Sequence, residues 1–501
     1  MKYYLYLFLF AFAVTTVFTN CDDELEFTTD SNAKLEFSVD TLRFDTVFTE
    51  LGSATRSFKI YNRNDKAIRI SRIYVESKDT RRWELNIDGI PGNNQQDIEI
   101  LANDSIYLFA EVTIDPDQPL SVSPFVIEDR VVFETNGNTQ SVLLEAWGQN
   151  ANYFPSRFNQ GVAVRLSCNN GDLVWDDPKP YVIYGAVFVD SCELIIPAGT
   201  RIYVHGGVAQ NDLFGGIYND GILYILQNGR ITVQGTKDKP VIIQGDRLES
   251  AFLDEDGQWN GIFISRGSRG NTFEYATVRN SRFGVYADST AELTLRNTQI
   301  YNTASSGIIG FHSRITAENT LVYNNGSTSV LLVQGGDYNF TYCTIASYGV
   351  NASALSMSNF FCYDDNCQVA RTYRLNARFV NSIIFGSQND EIELADAFER
   401  QNPAQFNVQF QDCIVRVDGL IKNNSSQFKD FLENICTPCI NATRNDKLFL
   451  DANEDNYRLD SLSIANGKAK PIFSPRTINI DLEGKDRDPL TPDIGAYERK
   501  E

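Results

Sequence analysis

Residues 296–302 read RNTQIYN and residues 318–324 read ENTLVYN, so nearly the same seven letters return after 22 positions. Extending the alignment outward keeps the step. Val278, Ile300, Val322 and Ile345 fall at intervals of 22, 22 and 23, and so do Phe273, Leu295, Ala317 and Phe340. Asn280, Asn302, Asn324 and Ser347 form a third column. Val285, Ile308 and Val330 form a fourth, each preceded by Gly284, Gly307 or Ser329. Four columns in step exclude coincidence.

The period limits the architecture. A helical repeat needs helix-forming stretches that these strand-like units lack, and a leucine-rich repeat needs a Leu pattern that is missing. A parallel β-helix fits, with each repeat making one turn of a coil and equal columns stacking at about 4.8 Å. Apolar columns then fill the interior, and Asn columns bond amide to amide up the stack. Ten or eleven coils would make a rod ~50 Å long. The period breaks after Ile345. The counterpart in NSII (381–384) lies 39 residues on, and that in DCIV (412–415) another 31. The excess must leave the coil as loops at 350–378, 388–406 and 422–440, with short helices expected over Glu391–Arg400 and Gln427–Asn434.

Other stretches carry a family resemblance. WDDPKPYVIYG (175–185), IIPAGTRIYVH (195–205), GRITVQGT (229–236) and GQWNGI (257–262) resemble the right-handed β-helix proteins of the pectin-lyase-like superfamily. NYRL (456–459), ANG (465–467) and DIGAYE (493–498) resemble the closing segment of such proteins. The resemblance covers about 175–498 and implies a right-handed parallel β-helix over 181–475, with a junction and cap at 151–180 and a closing segment at 476–501.

Residues 34–150 alternate apolar and polar positions between Asn-, Asp- and Gly-rich turns. That pattern predicts an antiparallel sandwich of about seven or eight strands. FKIYN (58–62), DRVVFETNG (129–137) and EAWG (145–148) resemble immunoglobulin-like modules of the ASH or choice-of-anchor type. The fold class expected is therefore all-β, an immunoglobulin-like sandwich followed by a β-helix with loop insertions.

The apolar run Tyr3–Phe18 after Lys2 fits the core of a secretory signal, too short for a membrane span. Cys21 follows it, and the stretch resembles a bacterial lipoprotein signal over 1–20, with Cys21 the lipidated residue and an acidic tether at 21–33. Asp22, Asp23 and Glu24 resemble the surface-export signal of Bacteroidetes lipoproteins. The expected location is the outer membrane, lipid-anchored and facing outward. Eight further cysteines in an exported chain suggest disulfides. The candidate residues are Cys168 with Cys192, Cys362 with Cys367, and Cys436 with Cys439. Cys343 and Cys413 share a column with Ser382 between them. Two coil steps, ~9.6 Å, exceed a disulfide's reach, so both are expected to be free and buried.

The chain of 501 residues carries a formal charge of −21, which argues against nucleic acid as a partner. The superfamily includes polysaccharide lyases and hydrolases, so the resemblance implies either chemistry or a fold reused for binding. The chain has two His, His205 and His312, and no sequence pattern gives either a catalytic partner. Asp288 and Arg296 likewise show no common catalytic face. Asp254 and Asp256 read first as part of a solvated acidic loop and second as carboxylates for calcium. With no catalytic set identified, the expected function is a non-catalytic module binding glycan or protein through its loops or one coil face. The alternative is a polysaccharide lyase or glycoside hydrolase. No cofactor is expected, calcium aside.

Overall fold

In the computed structural model the repeat resolves into stacked strands. The structure describes residues 26–499 apart from 49–52, 54, 77–81, 115–124, 155–162, 169, 170, 212–215, 220, 250 and 251. The chain forms two units, Met1–Gln149 and Asn150–Glu501. The lipidation residue Cys21 and the acidic Asp22, Asp23 and Glu24 lie outside the described residues.

In the first unit two five-stranded sheets face one another. One runs Glu36–Phe37, Arg56–Tyr61, Ser105–Val112, Trp83–Ile87, Ile90–Pro91; the other runs Thr41–Phe48, Asn138–Gln149, Phe125–Thr135, Ile68–Glu76, Asn94–Ile100. Period-two alternation sends one side of each strand inward, where Phe44, Phe58, Trp83 and Phe133 form the core. One pair departs from the antiparallel expectation. Thr41–Phe48 runs parallel to Asn138–Gln149, which is possible because the long chain between them removes the need for a hairpin.

Each coil of the second unit has three walls. Wall one is an eleven-stranded parallel sheet that includes Ala276–Ser281, Gln299–Thr303 and Leu321–Asn325. Walls two and three belong to a sixteen-stranded sheet that bends along Ile308–Glu318 and Val330–Thr341. Val278 pairs with Ile300, Ile300 with Val322 and Val322 with Ile345, and all are buried. The file extends to Ile243 and Ile202 before them and to Ile384 and Val415 after. Phe273, Leu295, Ala317 and Phe340 stack in wall three, and Val285, Ile308 and Val330 in wall two. Gly284 and Gly307 leave room at the corner between walls one and two. A Cβ on Gly284 would run into the Gly307 carbonyl, and one on Gly307 into Val322.

The Asn letters of the repeated words are corner residues. Asn297, Asn302, Asn319 and Asn324 have φ of 48, 51, 47 and 49°. Among residues with a Cβ, Asn tolerates this left-handed region best. The amide ladder forms in part: Asn324 Nδ2 donates to Asn302 Oδ1 at 2.7 Å, whereas Asn280 Nδ2 donates to the carbonyls of Leu253 and Glu255. The inner corner has another use. Asn297, Asn319 and Asn381 donate to the carbonyls of Asp481, Ile480 and Lys470.

The coil differs from expectation at both ends. It starts before Tyr181, because Asn152–Phe154 pairs with Tyr181–Tyr184 and Val164–Ser167 with Ala186–Asp190. The predicted junction at 151–180 is thus a first coil whose interrupted strands lack the repeated words. At the other end the last coil strand is Cys439–Asn441, short of residue 475. From Ala442 the chain doubles back along wall one, covering Leu321, Tyr323, Tyr342, Ile383 and Ile414. Arg487 fixes this closing segment. Its guanidinium is 3.9 Å from the Tyr342 ring centre, donates to Asn319 Oδ1 at 2.9 Å and to the Gly495 carbonyl at 3.0 Å, and pairs with Glu498.

All three predicted disulfides are present, and Cys343 and Cys413 are buried free thiols that burial pushes up to about 12. The helix expected over Glu391–Arg400 is absent. Ile392–Ala395 is instead a wall-two strand in register with Leu355–Ser358, and this long-range pairing overrides local propensity. Gln427–Asn434 holds only the start of a single wide turn, Phe431–Ile435, whose Phe431 and Ile435 are buried. A five-residue helix at Asp418–Lys422 was not foreseen.

Glu391 is fully buried, its carboxylate accepting from the backbone N–H groups of Ala354 and Gln388 at 2.9 and 2.6 Å. Burial pushes its carboxyl from 4.5 to about 7, the two N–H groups opposing that rise. The folded state therefore holds this proton more tightly than the unfolded state. Its contribution to stability is present below about pH 4.5 and is lost as pH rises through 7. Glu391→Gln should flatten the fall of melting temperature across that window, measured by thermal unfolding at stepped pH. Ile300→Asp should abolish cooperative unfolding of the coil unit in calorimetry; the lost side-chain burial alone costs roughly 2–5 kcal/mol.

Candidate binding face of the coil

Alternation along the wall-two strands points every second side chain outward. In Ala186–Asp190, Ile222–Ile225, Gly261–Ile264 and Val285–Ala287 the outward residues in register are Phe188, Tyr224, Phe263 and Tyr286. Their rings meet in sequence at 5.3, 4.5 and 4.7 Å, the last two pairs stacked. All four are half-buried. Ile309 and Leu331 continue the file, then Ser356 and Glu393. The result is an aromatic ridge passing into an aliphatic and then a polar stretch. Burial, and next the Asp288 carboxylate, push the Tyr286 hydroxyl up to about 12 and the Tyr224 hydroxyl upward as well. Both stay protonated donors at neutral pH.

Insertions border this wall on both sides. The paired strands Val208–Asn211 and Gly216–Asn219, and residues 252–260, precede it. On the far side the hairpin Phe360–Cys362 and Ala370–Thr372, clamped by Cys362–Cys367, stands on the coil. Phe361 packs edge-on against Phe311 at 5.3 Å, and Tyr363 donates to Gln334 Oε1 at 2.7 Å. Tyr373 stacks on His312 at 3.9 Å, and burial lowers the pKa of that imidazole. His312 is thus a neutral ring under a hairpin, its buried Nδ1 without a hydrogen-bond partner.

His205 lies on wall one. Its Nδ1 is 2.7 Å from an Asp246 carboxylate oxygen, and its ring stacks on Tyr184 at 4.4 Å. The two histidines do not share a site. Asp254 of the acidic loop is 4.0 Å from Arg279, which donates to Gln244 Oε1 at 2.9 and 2.7 Å and to the Tyr301 hydroxyl at 3.3 Å. Asp455, at the tip of the closing segment's hairpin, is raised by burial and then by the charges of Asp254 and Glu454. A guanidinium therefore stands beside Asp254. Among the described residues no group of three or more His, Cys, Asp or Glu side chains is placed to hold a metal. Asp288 borders the ridge, whereas Arg296 pairs with Glu318 on wall three; the two do not converge.

The architecture is a right-handed parallel β-helix. Two family models match the chain: a pectate-lyase like beta helix domain over residues 167–292 and a right handed beta helix region over 255–371. No protein of curated function matches it in sequence. Among solved structures, a protein of unknown function from Porphyromonas gingivalis W83 is 12% identical, with 26% of this chain and 59% of that chain covered and a TM-score of 0.17. A family 123 glycoside hydrolase from Clostridium perfringens is 7% identical, with 38% and 44% covered and a TM-score of 0.17. Pectate lyase Pel9A is 11% identical, with 70% and 88% covered and a TM-score of 0.32. The chain thus spans 59% and 44% of the first two. At these scores the coil rests on its own strand register and the two family models, not on the neighbours.

The ridge was not read from sequence, although its signal was there. Val187-Phe188, Leu223-Tyr224, Ile262-Phe263 and Val285-Tyr286 each place an aromatic ring one position after an interior residue. The repeated words anchor the alignment only from Phe273 onward, and three of the four rings precede it.

Proposed function

We propose that the chain is a lipid-anchored protein of the outer cell surface whose coil binds an extracellular glycan along wall two without cleaving it. The aromatic ridge carries this reading. Stacked rings form a continuous apolar strip against which the C–H surface of a sugar packs. The Tyr224 and Tyr286 hydroxyls recur two coils apart, ~9.6 Å, on the scale of a disaccharide repeat, so an extended chain along the axis would meet a donor at each repeat. The flanking insertions supply walls, and the disulfide-clamped hairpin supplies a stiff one. Cys21 is the anchor, Asp22, Asp23 and Glu24 direct the chain outward, and the sandwich is an immunoglobulin-like spacer. No cofactor and no nucleic acid take part.

A lyase or hydrolase is the second reading, since the pectate-lyase-like coil is a fold on which both chemistries are built. What favours it is the meeting of Asp254 and Asp455 beside Arg279 and Tyr301 on wall one. Affinity electrophoresis against a polysaccharide panel, with product release followed in parallel, separates the two. Tyr224→Ala combined with Phe263→Ala should weaken glycan retention by roughly tenfold or more with no product from either protein. Undiminished retention would remove the ridge from the reading, and soluble oligosaccharide products abolished by Asp455→Asn would establish the enzyme. Cys21→Ser should move the protein from the membrane to the soluble fraction; an unchanged distribution on fractionation would refute the anchor.

A further inference from the structure

The first unit carries a site of its own. On the outer side of the sheet holding Arg56–Tyr61, Ser105–Val112 and Trp83–Ile87, register sets three rows. Ser57, Phe109 and Asn86 lie abreast; Lys59 and Tyr107 form the row on one side, and Glu111 and Glu84 the row on the other. Phe109 is 37% exposed and Tyr107 45%, unusual for aromatic rings at the centre of a sheet face. The two rings stack at 5.7 Å, and the Lys59 ammonium sits 4.8 Å over Tyr107 and holds that ring in place. A cavity of about 360 Å³ opens beside Phe109, lined among others by Glu84, Asn86, Pro91, Asn93 and Glu111. Pro91 belongs to the short strand Ile90–Pro91, which pairs with Asn86 and Ile87 and raises the rim.

The polar groups of this cavity are acceptors in excess. Asn86 Oδ1 is buried and has no hydrogen-bond partner. Such an atom destabilises the fold unless a donor reaches it. Glu84 is exposed, and Glu111 accepts from Thr55 Oγ1. An aromatic floor with an unsatisfied amide oxygen and two carboxylates calls for a ligand with an apolar face and a rim of O–H donors. A pyranose ring has that construction. The two carboxylates disfavour uronic acids and sulfated sugars, whose charge they would repel.

We infer that the sandwich binds one or two neutral sugar units over Phe109, with Asn86 Oδ1, Glu84 and Glu111 accepting from sugar hydroxyls, so that it is a glycan-binding module as well as a spacer. This site stands on observations separate from the ridge, and its size suits a short oligosaccharide. The test uses the full chain with neutral hexasaccharides of glucose, mannose and xylose in isothermal titration. At least one should bind, and Phe109→Ala should weaken that binding roughly tenfold, the scale of one lost stacking ring. Asn86→Ala should weaken it too, and Tyr224→Ala with Phe263→Ala should leave the Phe109-dependent component in place. Phe109 is exposed, so circular dichroism should show an intact fold. Titrations that find no binding, or binding unmoved by both Phe109→Ala and Asn86→Ala, overturn the inference, as would a face that captures unstructured peptide but no sugar.

Discussion

The corner between walls three and one governs the coil. From Tyr275 to Asp412 the chain turns there within a single residue, and that residue takes positive φ. Tyr275, Asn297, Asn319, Tyr342, Asn381 and Asp412 occupy it coil after coil, with φ between 45 and 52°. A turn so short permits no insertion, so the coils stay in register and each interior side chain lands on its earlier copy. The repeated words record this constraint. Their Asn letters bound a wall-one strand, and the letters between them alternate inward and outward.

That corner also determines which faces are available. Its side chains point outward as hydrogen-bonding groups, and the closing segment uses them: Asn297, Asn319 and Asn381 donate to its carbonyls, Tyr342 donates to the Lys470 carbonyl, and Asp412 pairs with Lys470. Much of wall one is thereby covered. Wall three carries a different exterior, in which Arg230 with Glu193, Arg314 with Glu292 and Asp337, and Arg374 with Asp337 form ion pairs across successive coils. Exposed pairs of this kind add little stability but keep a surface hydrated. Wall two is bordered by insertions and presents stacked rings. The division of labour among walls follows from where the chain can and cannot be lengthened.

The columns from Phe273 to Ile345 could be read from sequence because close repeats impose identical surroundings on identical letters. The two free thiols were legible for the same reason, since register converts sequence spacing into distance, whereas the Cys362–Cys367 and Cys436–Cys439 disulfides were legible from their closeness in the chain. The ends of the coil were not. Asn152–Phe154 and Leu173–Val174 are strands only because their neighbours pair with them, and their own letters carry no period. Glu391–Arg400 reads as helix locally, yet Ile392 is fixed beneath Leu355. The ridge was hidden differently: outward positions are free to vary, so an aromatic file is visible only once the inward positions beside it have been placed. The contact of Asp254 with Arg279 brings together two coils and an insertion, and no spacing rule foretells it.

The placement of charge bears on the choice between binding and catalysis. Glycoside hydrolysis needs two carboxyl groups about 5–9.5 Å apart across one sugar bond. Beside the ridge stands Asp288, whose charge adds to burial in raising the two Tyr hydroxyls. Asp455, raised first by burial and then by the Asp254 charge, lies against wall one, where the Arg279 guanidinium is 4.0 Å from Asp254. The rings and the Asp254–Asp455 pair therefore occupy different faces. A polymer lying on the rings would be held by apolar contact and neutral donors, an arrangement that retains a sugar chain, whereas cleavage would require the acids to face the bond that the rings position.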